Sequence, residues 1–296
     1  MIPQQQSHRV GDALVTRIPE LLLRSFRTTD LIPDWNPEVA DRHDGWMVPD
    51  CLDAAHEHVV VSTHSWLVRT PRHTVIVDTA VGNGKTRAMK AFDHLQEPWL
   101  DRLAAAGVKP EAVDFVLLTH LHSDHVGWNT RQVDGRWTPT FPKARYVMAR
   151  LEQERLAGIM DRDGPDAPKT AFYADSVLPV IQAGQASFVE PVGGEPLPGF
   201  TFHPTPGHST NHMSIGLRSG DRYGLFSGDV MHHPIQVCCP EWSSVFSEDT
   251  GRGRASRDWA LNHMADTGAL VFSSHFPGSS AGRVTRTADG FGWTFA

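Results

Sequence analysis

The chain reads as an α/β fold in which two packed, mixed β-sheets carry helices on their outer faces. Two observations predict this. Groups of β-rich segments are followed by helical segments, and the pattern occurs twice, the order expected when sheets are layered inside helices. No Gly/Ser linker separates the halves of the 296-residue chain. A single domain spanning residues 1–296 is the simplest reading, with residues 1–58 as an N-terminal arm or strand.

The elements follow in order. Residues 11–18 suit a strand. LIPDWNPEVADRHDGWMVPD contains Trp35, Trp46 and Met47, so it is not simply polar. It reads as a long ordered arm: a cover over the core, one wall of a substrate pocket, or a dimer contact made by exposed tryptophans. HVVVSTHSWLVRTPRHTVIVDTAVGNG gives two strands joined at Thr70–Arg72 and closed by a Gly-rich turn. Residues 85–106 are predicted mostly helical, with Met89, Phe92 and Leu95 on one face. Pro98 breaks or restarts that helix, and Leu100 and Leu103 continue its apolar face. VDFVLLTH, residues 113–120, has buried-strand character.

The spacing then predicts a strand over 143–149, a helix over 150–158, and another over 170–183 interrupted near Pro179. FTFHPTPGH, HMSIGLRSG and RYGLFSGD are three strands separated by turn residues. Residues 254–266 form a helix with Trp259 and Met264 among its apolar residues. ALVFSSHF is a last buried strand, and RVTRTADGFGWTFA a hairpin around Ala288–Gly290.

Bulk properties exclude several classes. Lys and Arg number 27 against 34 Asp and Glu, a net charge of −7, which argues against a nucleic-acid binder with a basic face. The cysteines are Cys51, Cys238 and Cys239; an odd count with two neighbours and no CxxC spacing does not make a disulfide framework. The opening MIPQQQSHRVGD lacks a signal-peptide core, and the apolar run Leu21–Leu23 is too short to span a membrane. A cytoplasmic protein with a small-molecule substrate, no membrane and no nucleic-acid partner is expected.

The chemistry is concentrated in THLHSDH, residues 119–125. His120, His122, Asp124 and His125 fall together directly after an apolar strand. A strand end holds such side chains rigidly enough to converge on a point. Imidazole nitrogen and carboxylate oxygen suit zinc and similar cations, and the lack of a cysteine cage favours an open, water-bearing site. His208, Asp229 and His275 each close another apolar run. A lone histidine after a strand is usually structural; seven ligand-type residues placed alike are not explained that way. Ser123 and Ser209 sit beside ligands without a required role.

The succession HxHxDH, GH, GD and a late SH, over about residues 59–278, resembles the metallo-β-lactamase-fold superfamily. The resemblance implies an αββα sandwich with a metal site along one sheet edge. It also implies that His120, His122 and His208 hold one divalent metal, that Asp124, His125 and His275 hold a second, and that Asp229 bridges them. Zinc is the first expectation, with iron or manganese as alternatives. Two close dications would ionise a shared water near neutral pH, giving the expected nucleophile. Asp124 would orient it. Asp78 is expected beneath the metals, where it would fix a histidine tautomer. His212 matches a recurrent family position that is more often structural.

Within the superfamily, the arm, SDHVGWN and SSHFPG are similar to the branch of N-acyl homoserine lactonases and methyl parathion hydrolase. The lactonases commonly have a Tyr three residues after the bridging Asp. Here that place is His232, as on the methyl parathion hydrolase side, where it would be a general acid, an oxyanion donor or a packed loop residue. Trp128, Trp242, Phe246 and Phe276 are expected to line the pocket, so that a hydrophobic or aromatic lactone or ester would fit. The alternatives are an organophosphate triesterase or phosphodiesterase, a thioesterase, an iron-using oxidoreductase, a β-lactamase, or a non-enzymatic metal-binding sensor.

Overall fold

The computed structural model describes residues 6–296, and the opening residues 1–5 lie outside them. The strands are, in chain order, β1 (Ser7–Val10), β2 (Ala13–Arg27), β3 (His58–Arg69), β4 (Thr74–Val77) and β5 (Phe115–Leu117). A hairpin, β6 (Thr130–Val133) and β7 (Arg136–Pro139), precedes β8 (Arg145–Ala149) and β9 (Ala186–Val189). The second half supplies β10 (Gly194–Leu197), β11 (Phe200–Pro204), β12 (Met213–Ser219), β13 (Arg222–Gly228) and β14 (Leu270–Ser273). It ends on β15 (Ala281–Thr287) and β16 (Gly290–Phe295).

Two seven-stranded sheets result, ordered β1-β2-β3-β4-β5-β8-β9 and β10 to β16 in sequence. Their facing sides share one apolar layer, in which Trp66, Val75 and Val147 of the first meet Phe202, Phe226 and Phe272 of the second. The outer face of the first sheet is covered by helices at 99–105, 150–163 and 171–182, packed through Leu103, Leu156 and Val180. Helix Thr250–Thr267 covers the second through Ala260, Leu261 and Met264. The expected mixed sheets with helices outside are therefore present.

Four local readings are corrected. β2 runs on to Arg27 instead of ending at residue 18. Pro19 cannot donate to the ladder, and the strand passes it with a bulge: Pro19 pairs with His64 and Leu21 with Thr63, leaving Glu20 between them. Residues 85–98 are not helical. Their backbone closes on itself, with Gly84 N–H donating to Leu95 O at 2.9 Å and His94 N–H to Lys85 O at 2.8 Å. Arg87 and Lys85 are buried against Asp175, at 2.7 and 3.4 Å. Trp259 is 38% exposed and stacks on His263 instead of packing into the core. Trp35 is buried against Trp242, so it is not available as an exposed dimer contact; Trp46 is half-buried. The arm covers the core through Leu31, Ile32, Trp35 and Met47. Among the described residues no helix is long and apolar enough to cross a membrane.

The bulge turns Glu20 inward, where its carboxylate accepts the N–H groups of Val81 (2.8 Å) and Gly82 (3.0 Å) and the Trp128 indole (2.7 Å). Burial pushes this carboxyl up from 4.5 to about 7, against those donors. A proton held more tightly in the fold than in the unfolded chain stabilises at low pH. The contribution is complete below about 4.5 and is lost as the pH rises through about 7. Glu20→Gln should therefore flatten the pH dependence of the thermal midpoint across that window. The relative difference is on the order of 3 kcal/mol. Parallel profiles for variant and wild type would contradict it.

Candidate metal centre

The seven sequence-predicted metal residues meet where strands end. The turn after β5 carries His120, His122, Asp124 and His125, and His125 N–H closes it by donating to His122 O at 3.1 Å. His208 follows β11, Asp229 follows β13, and His275 follows β14. β13 and β14 are parallel neighbours, so Asp229 and His275 leave adjacent strand ends side by side.

Two groups form. In the first, His208 Nε2 lies 2.7 Å from His122 Nδ1 and 3.1 Å from His120 Nε2, and the last two nitrogens are 3.1 Å apart. In the second, Asp124 Oδ2 lies 3.7 Å from His275 Nε2 and 3.8 Å from His125 Nε2. Asp229 reaches both: Oδ2 is 3.0 Å from His275 Nε2 and 3.4 Å from His208 Nε2, and Oδ1 is 3.3 Å from His125 Nε2.

Hydrogen bonds behind the cluster fix which nitrogen faces inward. Asp78, at the end of β4, accepts the Thr119 N–H and hydroxyl at 2.8 Å each, and faces His125 Nδ1 at 2.9 Å. Because the Thr119 hydroxyl proton goes to Asp78, Thr119 accepts from His120 Nδ1 at 3.0 Å. His120 and His125 thus carry protons at Nδ1 and turn Nε2 lone pairs to the cluster. His275 Nδ1 donates to Ser62 O at 2.9 Å, with the same result. His212 lies outside the cluster; its Nε2 accepts the Asp229 N–H at 2.8 Å and so sets the angle of that carboxylate.

Burial, reinforced by neighbouring imidazoles, holds His120 well below the ordinary histidine range. Burial holds His208 there too, against the pull of Asp229. Burial alone would raise Asp229, but His125, His275, His208 and His232 hold it well below the carboxylate range. Burial would lower His125 and His275 as well, but Asp229 and Asp124 raise them; a cation needs the imidazoles neutral and the carboxylates ionised.

The residues fit a metal on their own geometry. Lone pairs from three imidazoles converge with edges of 2.7–3.1 Å, close to the spacing of nitrogens bound to zinc at about 2.0–2.1 Å. His125 Nε2 and Asp229 Oδ1 are buried with no hydrogen-bond partner in the protein. A cation satisfies both. The three cysteines are elsewhere, and burial pushes Cys51 and Cys239 up to about 12.

His232 Nε2 stands 3.3 Å from Asp229 Oδ2 without hydrogen-bond alignment, and the ring is parallel to His275, centroids 5.5 Å apart. It lines, with Asp124, Asp229 and His275, a cavity of about 480 Å³. The rest of that cavity is largely apolar: Leu23 and Phe26 of β2, Val61 of β3, Met89 and Phe92 of the closed loop. Leu31 of the arm, Phe172 and Phe246 also line it, and Thr63, Thr86, Arg87 and Asp166 are further polar members.

Only Phe246 of the four expected aromatics lines it. Trp128 is stacked on Trp99 at 5.3 Å and tied to Glu20; Trp242 packs on Trp35 and Phe276 on Trp293. Ser123 lines the cavity and Ser209 does not. Sequence reasoning missed Thr63 and the β2 residues. The alternation of β3 places Val61 and Thr63 on one face, and that signal was available; the loop contributions had none.

The chain belongs to the metallo-beta-lactamase superfamily, whose profile matches residues 58–280, and it is a metallo-hydrolase of that class. A probable metallo-hydrolase of Mycobacterium tuberculosis is 24% identical over 242 residues, covering 74% of this chain and 76% of its own. Two solved structures share the fold over nearly full lengths. The dizinc quorum-quenching lactonase AidC, in complex with the product N-hexanoyl-L-homoserine, superposes with a TM-score of 0.79 at 21% identity, covering 99% of this chain and 97% of its own. The hydrolase AbOPH gives 0.79 at 21%, covering 100% and 98%.

Proposed function

We propose that the protein is a binuclear metal-dependent hydrolase that cleaves a lactone or ester with an apolar body. One observation carries this reading: two donor groups that share Asp229 form a polar end of a largely apolar cavity. His120, His122 and His208 would hold one divalent ion, Asp124, His125 and His275 the other, and Asp229 both. Two divalent ions held there, zinc first among them, would supply Lewis acidity, to acidify a water and to polarise the scissile carbonyl.

The protein groups do the rest. Asp124 presents its carboxylate to the cavity and orients the attacking water. Asp78 and Ser62 O keep three imidazole lone pairs turned inward. His232, with a proton on Nε2, donates to the oxygen that gains charge as the bond breaks. Apolar side chains from β2, β3 and the closed loop bind the body of the substrate and exclude bulk water. The dizinc lactonase with a bound acyl homoserine supports this choice of substrate. His232 favours, as a second reading, an aryl phosphotriester.

The test is hydrolysis by zinc-loaded protein of an N-acyl homoserine lactone, an aromatic ester and an aryl phosphotriester, each beside a chelated control. A chelator-sensitive preference for the lactone or ester is expected. A preference for the phosphotriester would install the second reading, and chelator-insensitive rates on all three would refute both.

A further inference from the structure

Thr63 stands where the metal cluster gives way to the apolar wall. Its neighbour Ser62 is joined to His275 twice: Ser62 N–H donates to His275 O at 2.9 Å, and Ser62 O accepts from His275 Nδ1 at 2.9 Å. Side chains two apart on a strand share a face, about 6–7 Å from each other. Thr63 and Val61 do so, and both line the cavity. Their partners on β2 are Leu21 and Leu23. A step from Thr63 to Val61 therefore leads from His275 toward the apolar wall of Leu23 and Phe26.

The Thr63 side chain is buried, with the residue 1% exposed, and its Oγ1 has no hydrogen-bond partner in the protein. Among the described residues it is the one buried, unpartnered hydroxyl that lines this cavity; those of Ser65, Thr140 and Ser209 do not. Leaving a buried hydroxyl unsatisfied costs about 1–3 kcal/mol. Valine would fill the same space without that cost. A hydroxyl left unpaired on a residue that lines the cavity calls for a ligand group that pairs with it.

We propose that Thr63 Oγ1 hydrogen-bonds a polar atom of the substrate next to the scissile carbonyl, and so selects substrates that carry one. This rests on the hydrolase reading above. A substrate with its carbonyl beside Asp124 and His275 and its apolar body along Val61, Leu23 and Phe26 must pass Thr63. An amide at that point satisfies the hydroxyl; a plain alkyl chain leaves it unpaired. Thr63 thus separates amide-bearing lactones from alkyl lactones of equal length, although both undergo the same ring opening.

The test uses the full metal-loaded chain with Thr63→Val and Thr63→Ser. The substrates are an N-acyl homoserine lactone and a γ-alkyl lactone of matched length. For Thr63→Val, kcat/KM on the amide-bearing lactone should fall about tenfold, mainly through KM, with the alkyl lactone within about twofold. The thermal midpoint should stay level or rise, because an orphaned hydroxyl is removed. Thr63→Ser should behave as wild type. Calorimetric binding of N-hexanoyl-L-homoserine should weaken about tenfold in Thr63→Val alone. Equal losses on both lactones, a lowered midpoint, or an unchanged product affinity would overturn the proposal. If wild type opens neither lactone, the lactone part of the hydrolase reading fails by itself, and the product-binding comparison still decides the role of Thr63.

Discussion

Asp229→Asn should lower kcat/KM by at least about 10³-fold while leaving the fold intact. This carboxylate reaches both donor sets. Its Oδ2 lies within 3.4 Å of His208 and His275, and its Oδ1 3.3 Å from His125. An amide keeps the shape and the backbone bond from Asp229 N–H to His212. It removes the negative charge and replaces one oxygen by an N–H₂, which has no lone pair for a cation, beside imidazoles that are themselves fixed from behind by Asp78, Thr119 and Ser62. Neighbouring side chains have little room to supply the missing oxygen, because the residue is 4% exposed. Steady-state kinetics beside far-UV circular dichroism make the check. A folded Asp229→Asn protein within about tenfold of wild type would remove Asp229 from the mechanism.

Stripping the metals is the second large effect. A ligand that binds only the folded state at about 1,000 times its Kd stabilises by about 4 kcal/mol. For a chain of this size that is a fall of roughly 10 °C in thermal midpoint on chelation. Buried atoms such as His125 Nε2 and Asp229 Oδ1 then lose the cation that satisfies them, and leaving them unpaired adds to the loss. Activity should disappear with the metal, and zinc should restore both rate and midpoint. Differential scanning calorimetry before chelation, after it and after zinc addition gives all three values. A midpoint that does not move would mean that the cluster is held by hydrogen bonds alone.

The convergence of the seven candidate ligands was legible in the sequence because each closes an apolar run or sits in the turn just after one. FVLLTH, FTFHPTPGH, GLFSGD and VFSSH all announce a strand and its end, and parallel strands in one sheet bring such ends to one edge. The sandwich was legible for the same reason: short β-rich runs and amphipathic helices alternate in an order few folds accept. Residues 85–98 were not. Met89, Phe92 and Leu95 have helical spacing, yet what decides the backbone is a buried pair with Asp175, far away in sequence, and the loop's own end-to-end hydrogen bonds. Local periodicity contains neither. The same holds for Trp128, whose fate depends on Glu20 and Trp99, and for Trp242, which meets Trp35 of the arm. A tryptophan beside a ligand in sequence can point into the core as readily as into the pocket. β2 was underestimated at Pro19, where the break is a bulge that keeps the strand running and delivers Leu23 and Phe26 to the cavity.

The central claim is that one chain holds two metals through seven residues. Elemental analysis of protein purified with supplemented zinc, set against quantitative amino-acid analysis, tests it most directly. About two metals per folded chain, falling to about one or fewer in Asp229→Asn, is the expected result. Well under two in the wild-type protein would contradict it.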